Sequence, residues 1–391
     1  LIMSTHFETN AIRNQTERSQ FSEHSTPMYV TSSFVFDDAE DMRASFAEEK
    51  GKNLYSRFSN PNTSEFVDKI VTMEGAESGY AFATGMAAIF STFGALLSSG
   101  DHVVSCRSVF GSTHTLFTKY LPKWNIETSY FKVNEVDKIE SLIQPNTKIL
   151  YAETPTNPAV DILDLKLLGT IAKKHNLLLV IDNCFATPYL QKPIDFGADI
   201  VLHSATKLID GQGRVLGGVA VGSAASIREI YLFSRNTGPA MSPFNAWILS
   251  KSLETLAVRV EKHCENALKV AQFLENCQNV NLVKYPFLKS HPQYEIAKNQ
   301  MKLGGNIVSF EINGGITAGR NFLNAIKLCS LSANLGDTRT IVTHPASTTH
   351  SKLSYEDRLE VGITDGLVRV SVGLEHIDDI INDLKQALEN A

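Results

Sequence analysis

The chain has 391 residues, 43% hydrophobic and 20% charged, with a net charge of −6. That is apolar material enough for a large folded unit and a smaller one. The acid excess and the lack of any basic cluster argue against nucleic acid as a partner, and no apolar run is long enough to span a membrane. Residues 4–20 are polar and lack a secretory-signal core, so a cytoplasmic protein is expected. Five scattered cysteines without a C-x-x-C pair point to reduced thiols, not to a disulfide framework or a zinc site.

Residues 1–60 show no sustained period; 26–36 reads as extended and 39–49 as a short helix. Such an arm, with little core of its own, is expected to lie on a neighbouring subunit. From Pro61 helices and strands alternate. Helices are predicted at 64–74, 85–97, 112–124 and 164–175, and strands at 79–83, 102–106, 128–133, 148–152, 177–181, 198–203 and 217–221. Apolar strands alternating with helices mean a parallel-rich sheet covered on both faces. One long helix, or two in succession, follows at 242–276. A second, smaller α/β layer is then expected, with strands at 280–285, 306–312 and 367–372 and helices at 292–301, 318–328 and 377–389. The expected division is an arm at 1–60, a larger unit at 61–250 and a C-terminal unit at 251–391.

Sites in parallel sheets lie at the carboxyl ends of the strands. Thr84, Gly85, Asp182 and Lys207 all fall at predicted strand ends. A lysine delivered there by a buried strand can lose its proton and act as a nucleophile. Ser204 and Thr206 stand three and one residues before Lys207, and the helix start at Gly85 offers free N–H groups to an anion. Arg57 adds positive charge. The same Thr84-Gly85 sequence would also serve a plain β-to-α turn, Asp182 a turn cap, and Phe110 ordinary core packing. Gly211-Gln212-Gly213-Arg214-Val215-Leu216 nearly matches a dinucleotide fingerprint, but Leu216 stands where its third glycine belongs. No Walker sequence and no H-E-x-x-H occur. Phosphate donors around one lysine suit pyridoxal phosphate, which needs a Schiff-base lysine, an acid for the ring nitrogen (Asp182) and a stacking group (Phe110).

Several motifs carry a family resemblance: Tyr55-Ser56-Arg57, Thr84-Gly85-Met86, Glu153-Thr154-Pro155-Thr156-Asn157-Pro158, Asp182-Asn183-Cys184-Phe185-Ala186-Thr187-Pro188, Ser204-Ala205-Thr206-Lys207 and Val368-Arg369-Val370-Ser371-Val372-Gly373. With them the chain resembles the cysteine/methionine-metabolism family of pyridoxal phosphate enzymes along almost its whole length. The resemblance implies an aspartate-aminotransferase-like (type I) α/β fold, with a large, mostly parallel seven-stranded sheet and a smaller C-terminal α/β unit. It implies Lys207 as the Schiff-base lysine and Asp182 on the ring nitrogen. Gly85, Met86, Ser204 and Thr206 would hold the phosphate, with Tyr55 and Arg57 reaching it from a neighbouring subunit. Phe110 would stack on the ring. Asn157 would touch cofactor and substrate, Asn334 the substrate, and Arg369 would anchor the substrate carboxylate, as the planar guanidinium suits. A homotetramer built from two dimers is implied as well.

The chain also departs from the family. Phe110 replaces the usual stacking tyrosine, Ser112 stands where methionine γ-lyases carry cysteine, and Asn334-Leu335-Gly336 replaces Ser-Leu-Gly. Asp210-Gly211-Gln212-Gly213-Arg214 and Gly238-Pro239-Ala240-Met241-Ser242 resemble the sulfhydrylase branch. That branch implies homocysteine formation from an O-acyl-homoserine and sulfide, in methionine biosynthesis. Succinyl is favoured as the acyl group and acetyl stays open. A succinyl ester would need a further cation, for which Arg107 and Arg235 are candidates. The alternatives are a cystathionine synthase, a γ-lyase, and a cofactor-binding scaffold without turnover.

Overall fold

The computed structural model describes residues 6–352 and 354–391; Ser4, where the polar N-terminal stretch begins, lies outside them. Seven strands form the larger sheet: β1 (Ser78–Phe82), β2 (His102–Cys106), β3 (Glu127–Phe131), β4 (Thr147–Glu153), β5 (Leu178–Asp182), β6 (Ile200–Ser204) and β7 (Gly218–Gly222). Their order is β1-β7-β6-β5-β4-β2-β3. The five strands from β3 to β6 run parallel, while β7 is antiparallel to both its neighbours. Hence β2, β4, β5 and β6 all end at one edge. β2 and β7 are buried at every residue, and Leu179, Val180, Ile181, Ile200 and Val201 are fully enclosed. Each such side chain contributes about 1.5–3 kcal/mol.

Helix Pro61–Glu74 covers one face. Asn60 and Thr63 cap it reciprocally, Pro61 opens it, and Gly75 ends it at φ +75°. Helix Gly85–Leu96 follows β1, its N-cap Thr84 accepting from the Ala87 N–H at 3.0 Å.

The second sheet holds β8 (Val280–Lys284), β9 (Ile307–Ile312), β10 (Ser330–Leu331), β11 (Ile341–Thr343) and β12 (Leu367–Ser371), ordered β10-β11-β12-β9-β8. It is antiparallel except at the short β10–β11 pair. Val308, Phe310, Phe322, Val370 and Leu384 form a core of its own. Among the described residues no helix is long and apolar enough to cross a membrane.

The expected long helix at 242–276 is two, Pro243–Leu253 and Leu256–Glu275. The stretch expected to be helical at 112–124 divides into Gly111–Thr115, a π turn at Leu116–Tyr120 and a 3₁₀ turn at Leu121–Trp124 that holds Pro122. Helix Ala224–Thr237 was not expected at all. Its signals are present: Ser223 caps it and Gly238 ends it at φ +89°. Strands β10 and β11, of two and three residues, are too short for any period to show. The segment at 26–36 forms no strand, only a bridge from Ser33 to Tyr55.

Candidate active site

The common edge of β4, β5 and β6 brings together most of the residues singled out from the sequence. Asp182 ends β5 and is 7% exposed, with one oxygen accepting the Cys184 N–H at 3.0 Å. Burial pushes its carboxyl upward; the Cys184 N–H and the nearby His203 pull the other way. No ion-pair partner for Asp182 exists among the described residues. A carboxylate buried without a cation is costly.

Lys207 lies on the turn after β6. Its Nζ donates to Asn334 Oδ1 at 2.6 Å. Burial lowers its proton affinity, Cys184 opposes that, and the Arg369 charge adds to it. Arg369 sits mid-strand in β12, 7% exposed, and donates from its two terminal nitrogens to Asn157 Oδ1 (3.0 Å) and the Asn334 carbonyl (3.1 Å). Its Nε has no partner. Burial lowers its pKa to about 10, so it stays charged at neutral pH. Thus Lys207, Asn334, Arg369 and Asn157 form one connected chain, although they come from both sheets.

At the start of helix Gly85–Leu96 the first N–H groups have no intrahelical acceptor. A side chain on Gly85 would lie 2.6 Å from Ser204 Cβ, so only glycine lets the helix start against Ser204. Thr206 donates to the Gly217 carbonyl at 3.3 Å and accepts the Gly217 N–H at 3.1 Å. Thr113 reaches Met86 Sδ at 3.9 Å, tying the Phe110 loop to this helix. Phe110 is 44% exposed.

Tyr55 and Arg57 are not brought to this group within one chain. Arg57 donates to the Arg235 carbonyl and lies 4.9 Å from the Phe58 ring and 5.4 Å from the Tyr55 ring. Arg235 pairs with Glu48. Arg107 is engaged by His114 and by Glu360 at 3.0 Å.

The donor set suits pyridoxal phosphate. Asp182 is a buried anion without a cation, which a protonated ring nitrogen would supply. The start of helix Gly85–Leu96 packs against Ser204 where only glycine fits, and its free N–H groups suit a phosphate. The open Arg369 Nε suits a substrate carboxylate.

Residues 8–389 match the family described as Cys/Met metabolism PLP-dependent enzyme. The chain belongs to that family. An O-succinylhomoserine sulfhydrylase of Pseudomonas aeruginosa is 45% identical over 98% of this chain and 95% of its own. An L-methionine γ-lyase of Porphyromonas gingivalis is 42% identical over 100% and 98%. A Campylobacter jejuni protein described as an O-acetylhomoserine (thiol)-lyase, solved with N'-pyridoxyl-lysine-5'-monophosphate, superposes with a TM-score of 0.95. It is 35% identical and aligned over 98% of this chain and 100% of that one. This family member therefore has the type I pyridoxal phosphate fold and uses that cofactor.

Sequence reasoning gave no role to Glu153, which ends β4 as Asp182 ends β5. The signal was available: each is an acid closing an apolar strand. Nor did it single out Arg259, which donates to the Leu208 carbonyl (2.7 Å) and the Ile209 carbonyl (3.2 Å), just after Lys207. Nothing in its helical context marks that contact.

Proposed function

We propose that this enzyme makes L-homocysteine by γ-replacement on an O-acyl-L-homoserine with sulfide, with O-succinylhomoserine preferred. The observation that carries the reading is the chain from Lys207 Nζ through Asn334 to Arg369, whose Nε has no partner. It fits an amino acid held by its carboxylate with its Cα near a lysine.

Bound pyridoxal phosphate supplies the electron sink that makes the Cα proton of an amino acid labile. Lys207 Nζ is the base that would take that proton, release it to the bound cofactor and so regain its lone pair, then take a second from Cβ as the acyl carboxylate leaves Cγ; hydrosulfide would add at Cγ and the two protons return to Cβ and Cα. Burial and Arg369 lower the amine's proton affinity, which favours that traffic, and Asn334 Oδ1 orients it. Asp182 holds the negative charge that keeps the ring nitrogen protonated. Gly85, Met86, Ser204 and Thr206 hold the phosphate. Tyr55 and Arg57 reach the phosphate of a neighbouring subunit in a homotetramer. Phe110 stacks on the ring and cannot move a proton, so Lys207 carries more of the traffic. Sulfide tolerates this because it is small and already nucleophilic. Arg369, with Asn157 beside it, binds the α-carboxylate; Asn334 meets the substrate at the same place.

The sulfhydrylase relative supports this reading, and the γ-lyase relative supports the runner-up. Against the lyase stands Ser112, where the γ-lyases carry cysteine. Product analysis decides between them. Purified enzyme is given O-succinyl- and O-acetylhomoserine, each with sulfide and with cysteine, and methionine alone. Homocysteine from the succinyl ester and sulfide is expected. No homocysteine from either ester, or 2-oxobutanoate from methionine as the main product, overturns the reading.

A further inference from the structure

Glu153 is 4% exposed and ends β4, its Cα paired in register with that of Asp182. Among the described residues it has no ion-pair partner. Its Oε2 accepts the Phe110 N–H at 2.8 Å. The Asn157 N–H, four residues on, draws on the same carboxyl. One buried group thus ties the loop after β2, which presents Phe110, to the turn after β4, which presents Asn157.

We propose that Glu153 is a positioning residue of the active site: its carboxyl, holding the Phe110 N–H, sets the Phe110 ring in register with the cofactor. The inference rests on the cofactor placement given above. The Phe110 loop needs such a tie, because its ring is half exposed and Gly111 follows it directly. With phenylalanine in place of tyrosine, no hydroxyl can anchor the ring, so its position rests on the backbone N–H held by Glu153.

The charge state follows from the surroundings. Burial and the neighbouring Asp182 push the Glu153 carboxyl well above the ordinary glutamate range. Two acids side by side at the end of a sheet do not both ionise readily. Asp182 has a cation to meet in the ring nitrogen, so Glu153 is the one that stays protonated. Its carbonyl oxygen is then the acceptor for the backbone N–H groups. Glutamine reproduces that shape and neutrality, whereas alanine removes the acceptor.

The experiment compares wild type with Glu153→Gln and Glu153→Ala, each also in a Phe110→Ala background. It reads visible-region circular dichroism of the bound cofactor, which reports ring orientation, and affinity for added pyridoxal phosphate. Glu153→Gln is expected to keep the wild-type ellipticity. Glu153→Ala is expected to lose most of it and to bind the cofactor at least about fivefold more weakly, as when a buried N–H loses its acceptor. In the Phe110→Ala background the alanine effect should shrink to less than half, which a general loss of packing would not produce. Wild-type ellipticity and affinity in Glu153→Ala overturn the inference. So does an alanine effect of undiminished size without the Phe110 ring. Lys207→Ala is run alongside. If it still holds covalent cofactor, the placement itself fails; if it does not and Glu153→Ala matches wild type, only the role of Glu153 fails.

Discussion

The two sheets supply the candidate active site in different ways. In the larger one, β4, β5 and β6 run parallel and finish at one edge, so Glu153, Asp182 and Ser204 arrive together as consecutive strand ends. In the smaller, antiparallel sheet, neighbouring strands finish at opposite edges. It contributes from the middle of a strand instead. Arg369 is the third of five residues in β12, and its cross-strand neighbours Ser309 and Thr343 are small enough to leave its guanidinium room. Parallel topology collects a multi-part site as a matter of geometry. Antiparallel topology lends a single anchor and a loop, here the one bearing Asn334.

Substitutions on each side can break or sharpen that contrast. The largest effect is expected on the larger sheet. Lys207→Ala removes the proposed base, and turnover should fall by about 10²–10⁴-fold, measured as homocysteine formed per second. A drop under tenfold would move the proton traffic elsewhere. Next comes Glu74→Ala, on helix Pro61–Glu74. Glu74 is fully buried, accepts from Asn183 Nδ2 at 3.1 Å and lies 2.6 Å from His203 Nε2. Removing one partner of such a pair should cost about 3–5 kcal/mol in urea unfolding. That loss should far exceed any made by a surface change, and a loss under 1 kcal/mol would separate this pair from the integrity of the sheet.

The smaller sheet should respond more weakly. Arg369→Ala should lower kcat/KM by about 10–100-fold, chiefly through KM, as for the loss of a charged hydrogen bond worth about 1.5–3 kcal/mol. An effect on kcat alone would place Arg369 in the chemical step instead. The last effect shows only on acidification. His263 is buried on helix Leu256–Glu275, its Nδ1 is 2.7 Å from the Val372 carbonyl, and burial lowers its pKa to about 4. The unfolded chain takes a proton there near pH 6.5, which the folded chain refuses. The stability it carries is therefore complete above about pH 6.5 and lost as pH falls toward 4, by about 3 kcal/mol. Denaturation at stepped pH should show His263→Gln losing less stability than wild type across that window. Parallel curves would refute it.

The larger sheet was the more legible of the two in the sequence, and the reason is physical. Strands such as β5 are apolar at every position, so their acids and hydroxyls stand out at the ends; Asp182, Ser204 and Lys207 could be read that way. Arg369 could not. A charge in the middle of an antiparallel strand has the same spacing as any solvent-facing residue, and only the family resemblance picked it out. The contact of Lys207 with Asn334 spans 127 residues, beyond the reach of any local pattern. Helix Ala224–Thr237 was overlooked despite its cap and terminating glycine, because its buried positions, Ile227 and Ile230 among them, are few.

Gly336 carries a consequence for how the enzyme matures. A side chain there would come within 2.6 Å of the Leu208 nitrogen and 2.9 Å of the Lys207 carbonyl carbon, so the two backbones are in direct contact. Contacts between segments so distant in sequence are the slow ones to form. The nascent chain can complete the larger sheet and still lack the loop that holds its lysine. The loop that holds Lys207 is in place only once the C-terminal layer has closed against the turn after β6.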